Sequence, residues 1–150
     1  MTLGERQIPL EQIVPDMSLS SLVRIPTQER IDLYARMSGD YNPIHVDANY
    51  ARETPFGGTI AHGMLVLSYI SEMMLSAFGS QWFSTGWFSI RFKSPAQSGK
   101  RVKVEGRVRS VERMNGQLKV VCNVACRDEA GDSIIVGEAG VTVDLTATNN

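Results

Sequence analysis

Two cysteines, two histidines and no basic run longer than two residues leave this 150-residue chain few ways to hold a metal, a disulfide or a polyanion. Fifteen Lys and Arg stand against sixteen Asp and Glu, a net charge of −1. That balance argues against a nucleic-acid surface or a polybasic tail, though weak local phosphate binding stays open. Nor is there an apolar stretch near the roughly 20 residues that a membrane span needs. The most apolar segment, Met64 to Phe78, is short and carries Glu72 and three serines. Met1 to Gln7 contains no apolar core of a secretory signal, so the expected location is cytoplasmic, with no membrane partner. Cys122 and Cys126 lie four apart in a strand-like segment and would face one side. Neighbours along one strand do not reach each other for a disulfide. A metal would need histidine partners, and His45 and His62 belong to the other half of the chain. The expectation is reduced, partly buried thiols and no metal.

What is present is ordinary globular composition, 43% hydrophobic and 21% charged. With no repeat, low-complexity tract or linker, residues 1–150 read as one domain with its core at about 18–143. Residues 1–16, with Pro9 and Pro15, read as an irregular lead-in, and Thr146 to Asn150 as a frayed polar tail. Ser18 to Ile25 alternates like a strand. Thr27 is a fair N-cap for a helix whose apolar face is Ile31, Leu33, Tyr34 and Met37, ending near Gly39. Pro43 blocks simple helical continuation through Asn42. Asp47 to Glu53 suggests a short helix capped by Asp47, and Thr54 to Gly58 a loop. His62 to Phe78 is helical and apolar nearly all round, which predicts burial. The period then becomes two: Trp82–Phe92, Arg101–Glu112, Gln117–Arg127 and Ser133–Val143 read as strands. Asn115-Gly116 and Ala130-Gly131-Asp132 supply turns between the last three. The result is an α+β class with a curled antiparallel β-sheet wrapped around a long central helix, a hot-dog fold.

Chemistry concentrates in Ser38-Gly39-Asp40-Tyr41-Asn42-Pro43-Ile44-His45 and in Ala61-His62-Gly63-Met64. A carboxylate and an imidazole sharing one water can move protons on and off a substrate. An unpaired N–H at a helix start can hold negative charge on a carbonyl oxygen. Together they are what adding water to an activated double bond requires. Each residue has a plainer explanation when taken alone. Asp40 and Asn42 could be turn residues, His45 a hydrogen-bonded core histidine, and Gly63 a packing glycine. The spacing of the set favours the chemical reading.

The first of these segments resembles the hydratase motif of the MaoC-like, (R)-specific enoyl-CoA hydratases, fixing Gly39, Asp40, Asn42, Pro43 and His45 at set intervals. Ile60 to Leu65 resembles the start of that family's central helix, and the similarity runs from about Ser18 to Val143. The resemblance implies a cytoplasmic homodimer or larger homo-oligomer in fatty acid metabolism. Its activity would be that of a hydro-lyase, reversibly hydrating trans-2-enoyl thioesters to (R)-3-hydroxyacyl thioesters. Coenzyme A or acyl carrier protein enters as part of the substrate, with no separate cofactor. By the same resemblance Asp40 and His45 are the catalytic pair, and Gly63 holds the thioester carbonyl. Asn42 and Ser71 support the site, and His62, Phe56 and Met64 are candidates for contact with substrate. Tyr69, Trp82 and Trp87 could also bound the acyl group, while Arg91, Lys93, Lys100 or Arg101 could meet the coenzyme A phosphates. Where relatives often carry Gly-Asp after the proline of Ser94-Pro95, this chain has Ser98-Gly99-Lys100.

Two other functions fit the same fold. A hot-dog acyl-CoA thioesterase would direct water at the carbonyl carbon, and free thiol release would reveal it. A non-catalytic acyl-thioester-binding subunit would bind without turnover.

Overall fold

The computed structural model describes residue 6 and residues 8–146. The readings of a signal-free N-terminus and a frayed polar tail fall mostly outside those residues. Five strands, β1 (Leu22–Arg24), β2 (Trp87–Phe92), β3 (Val102–Met114), β4 (Gln117–Arg127) and β5 (Ser133–Asp144), make one antiparallel sheet in the order β1-β3-β4-β5-β2. Helices α1 (Gln28–Ser38), α2 (Pro43–Val46), α3 (Ala48–Arg52), α4 (Gly63–Phe78) and α5 (Gln81–Thr85) join it, and the lead-in expected to be irregular contains one 3-10 turn at Leu10–Gln12. The sheet is curled but unclosed around α4, giving the α+β hot-dog fold.

Alternation along the strands decides which face meets the helix. Val102, Val104 and Val108 of β3 are buried, as are Leu118, Val120, Cys122, Val124 and Cys126 of β4. Ile135, Ala139, Val141 and Val143 of β5 continue that face. Against it α4 buries Val66, Leu67, Tyr69, Ile70, Met73, Met74, Ala77 and Phe78. Asn115 and Gly116 both take positive φ, 51° and 75°, as a two-residue hairpin turn between twisted strands requires. Asp47 accepts from Asn49 N and Tyr50 N at 3.0 Å each, the cap its sequence position suggested. Among the described residues no helix is long and apolar enough to cross a membrane.

Three expectations need correction. Trp82 to Phe92 is not one strand, because Gln81–Thr85 forms α5 before β2 begins. Trp82 is drawn inward: its indole N–H donates to Ser71 Oγ at 2.8 Å and its ring meets Phe88 edge-on at 5.0 Å. Tertiary burial overrides strand propensity there. Ser18 to Ile25 pairs with β3 only over Leu22–Arg24, with a single bridge from Ser18 to Arg107. On α1 the inward face is Ile31 and Ala35, four apart, while Leu33 and Met37 are exposed.

Cys122 and Cys126 share the inner face as free, fully buried thiols. Burial pushes both thiols up to about 12 from 9.0. As pH rises between those values, the unfolded chain releases thiol protons that the folded chain keeps, so stability falls. The urea midpoint should therefore drop between about pH 8 and about pH 11. A Cys122→Ala/Cys126→Ala chain should show a shallower drop. An identical slope in both proteins would remove the thiols from the explanation.

Candidate active site

The motif folds as a chain of local hydrogen bonds. Helix α1 closes at Gly39, whose φ of 77° is left-handed and whose N–H reaches Ala35 O at 2.8 Å. Glycine takes that conformation without strain. The turn delivers Asp40, where Oδ1 accepts the Asn42 N–H at 3.1 Å and N–H donates to Ser38 Oγ at 3.2 Å. Asn42 Oδ1 then accepts Ile44 N–H at 3.2 Å, capping α2 with Pro43 in the first turn. Pro43, which sequence reading takes only as a bar to helical continuation, thus starts a short helix of its own. His45 rides on it and is buried.

Each imidazole faces a main-chain carbonyl. His45 Nδ1 lies 2.8 Å from Ile60 O, so Nδ1–H donates, and in the neutral ring Nε2 is then the acceptor. His62 Nε2 lies 2.9 Å from Asp40 O, so there Nε2–H donates. The two rings stack at 3.9 Å and 28°. One nitrogen or oxygen from each of Asp40, His45 and His62 lies within 4.8 Å of the others. All three are metal-ligand types. Stacked rings, however, send their in-plane lone pairs side by side rather than toward one ion, a poor start for a tetrahedral site.

Beside them is a cavity of about 320 Å³, lined by His45, Phe56, Ile60, Ala61, Gly63, Val66, Phe92, Ile134 and the 93–96 segment. Gly63 is the first residue of α4, and its N–H makes no hydrogen bond among the described residues. A Cβ at Gly63 would stand 2.9 Å from the Phe92 ring. Asp40 is exposed and, like His62, does not line the cavity.

Of the residues singled out from sequence, Asp40, His45 and His62 come together, and His45, Gly63 and Phe56 share the cavity. Asn42 is adjacent, its side-chain oxygen engaged in capping α2. Ser71 stands about 12 Å along α4 from Gly63, and its hydroxyl accepts from Trp82. Met64 is exposed and outside the cavity lining. Tyr69 and Trp82 are buried away from that lining, and Trp87 lies outside on Gly140. Lys93, Lys100 and Arg101 border an adjoining cavity of about 650 Å³ with Asp128, Glu129 and Asp132, whereas Arg91 lines neither. Sequence reading overlooked Ile60 and Phe92. Ile60 acts through its carbonyl, which has no sequence signature. Phe92 could have been found as the inward position closing β2, in step with Phe88 and Ile90.

A family model for a MaoC like domain matches residues 11–129. The 3-hydroxybutyryl-CoA dehydratase of Methylorubrum extorquens is 34% identical over 116 residues, covering 73% of this chain and 68% of its own length. The (R)-specific enoyl-CoA hydratase of Rhodospirillum rubrum is 33% identical over 129 residues, 83% of this chain and 84% of that protein. Among solved structures, R-hydratase PhaJ1 from Pseudomonas aeruginosa superposes with a TM-score of 0.78 at 26% identity, over 99% of this chain and 96% of its own. By sequence and fold alike, this chain belongs to the MaoC-like hydratase and dehydratase family.

Proposed function

We propose that this protein is an (R)-specific enoyl-CoA hydratase, catalysing reversible addition of water to trans-2-enoyl thioesters. The observation that carries the reading is the Asp40–His45 pair, with His45 and Gly63 lining one cavity and His45 Nδ1 engaged by the Ile60 carbonyl. Asp40 and His45 grip one water between them. Its oxygen bonds to C3 as the C2–C3 double bond opens, and its proton passes to one member of the pair. The other member supplies a proton to C2. Negative charge gathers meanwhile on the thioester oxygen, where the Gly63 N–H and the α4 N-terminus meet it. The reverse sequence dehydrates a 3-hydroxyacyl thioester. Coenzyme A or acyl carrier protein is part of the substrate in this reading, and no other cofactor is invoked. The setting we infer is cytoplasmic fatty acid metabolism.

The exposed edges β1 and β2, together with exposed Met64, Phe92, Met37 and Leu33, support a homodimer or larger homo-oligomer. Sedimentation should show at least a dimer at micromolar concentration, and a monomer there would count against it.

Loss of conjugated thioester absorbance from a short trans-2-enoyl-CoA gives the direct assay. Asp40→Asn and His45→Gln should each lower kcat by about 10²- to 10⁴-fold, the span of general acid–base contributions. Chelator should leave the wild type unaffected. Full activity in Asp40→Asn would defeat the assignment, and thiol release from a saturated acyl-CoA would favour the thioesterase instead.

The amide can be tested separately. His62 already sits at φ −57°, ψ 136°, the extended geometry that precedes a proline, and Gly63 occupies the first helical position. Gly63→Pro therefore removes the N–H with little harm to the helix, while Gly63→Ala keeps it and adds the same Cβ contact with Phe92. Gly63→Pro should fall about 10²- to 10³-fold below Gly63→Ala in kcat. Equal rates would show that the amide does not hold the oxyanion.

A further inference from the structure

We propose that His62 is the positioning residue of the Asp40–His45 pair, holding one partner by its main chain and the other by its ring face. The kinetic part of this inference rests on the hydratase reading. His62 is 2% exposed and lies between two rings, His45 at 3.9 Å and Tyr34 at 4.7 Å. Its Nε2 meets the Asp40 carbonyl oxygen at 2.9 Å. A carbonyl has no hydrogen to give, so Nε2 carries one, and in the neutral ring Nδ1 is then bare. Consistent with that, Nδ1 is buried with no hydrogen-bond partner. The stacked pair therefore holds opposite tautomers, His45 as Nδ1–H and His62 as Nε2–H.

A buried nitrogen with nothing to bond is a cost that a phenyl ring of similar size would avoid. What the imidazole adds is the Nε2–H. Without it, among the described residues, Asp40 is held by its own N–H on Ser38 Oγ and by Asn42 N–H on its carboxylate, both bonds of an exposed turn. His62 is also the N-cap residue of α4, so the next main-chain amide is that of Gly63. One buried side chain thus relates the carboxylate, the imidazole and the amide to each other. It does not line the cavity itself.

His62→Phe keeps the ring and the stacking but removes the donor, whereas His62→Gln offers an amide N–H at comparable reach. In the enoyl-CoA hydration assay His62→Phe should lose about 10- to 100-fold in kcat, the scale of a misplaced catalytic group, with KM nearly unchanged. His62→Gln should recover a clear part of that loss. A His62→Phe enzyme with wild-type kcat, or one altered only in KM, would overturn the inference, as would His62→Gln no better than His62→Phe. Because the chain has 2 histidines, long-range ¹H–¹⁵N spectra of the unaltered protein, in buffer above the ordinary imidazole range, contain two rings to assign. One Nδ1–H and one Nε2–H ring, the latter absent from the variants, supports it. Two rings of the same tautomer overturn it. If the wild type shows no hydration, the hydratase reading fails, and the tautomers still decide whether His62 holds Asp40. They also decide the matter should His62→Phe not fold.

Discussion

The hydrogen bond from His45 Nδ1 to the Ile60 carbonyl, 2.8 Å long and buried, is the constraint from which the site's geometry follows. It fixes which imidazole nitrogen carries hydrogen, and so which one can accept a proton in the cavity. Ile60 is itself held: its N–H donates to Ile44 O at 3.1 Å, and it bridges Gln97. Ala61 N–H donates to Ala96 O at 2.8 Å. The short run before α4 is therefore tied both to the helix bearing His45 and to the loop after β2. Helix α4 in turn is anchored by eight side chains buried against the sheet. The precision of a loop-borne site comes here from the core through three residues of main chain.

The site divides into a buried half and an open half. His45 and His62 are at 8% and 2% exposure, while Asp40, Asn42 and Gly63 face outward. A carboxylate is far more costly to bury unpaired than an imidazole with one carbonyl partner. The division places the carboxyl group where solvent can reach it and the imidazole where packing can aim it. Under the proposed reaction it also requires substrate, or a second subunit, to exclude bulk water from Asp40 during turnover.

Much of this was legible in sequence because it depends on periodicity or on side chains with local partners. The alternation of β3 to β5, the apolar α4, the Asn115-Gly116 hairpin and the Asp47 cap each express a rule acting within a few residues. So did the nearness of Asp40 and His45, which are five positions apart. What was not legible depended on contacts distant in sequence. Trp82 leaves the strand because Ser71, eleven residues earlier, offers its hydroxyl. Leu33 and Met37 look inward by type, yet the inward face of α1 is set by Ile31 and Ala35. Pro43 was correctly read as a break but not as a beginning, because either outcome suits the residue. Ile60 could not be found at all, since its contribution is a carbonyl that every residue has.

Gly63 shows how two explanations for one residue can both hold. As a packing glycine, it leaves room that the Phe92 ring occupies, 2.9 Å from where a Cβ would stand. As an oxyanion donor, it must let a thioester reach its N–H. These needs would conflict if Phe92 were fixed, but its side chain ends β2 at the sheet edge and is 53% exposed. Phe92 is not among the buried core residues, so a shift of its ring could open the same space. Apolar contact between that ring and an arriving acyl chain would offset the burial lost from the glycine. Any larger residue at position 63 would displace Phe92 permanently. Under the proposed reaction, the absence of a side chain serves both the packing of Phe92 and the approach of substrate by the same few ångströms of space.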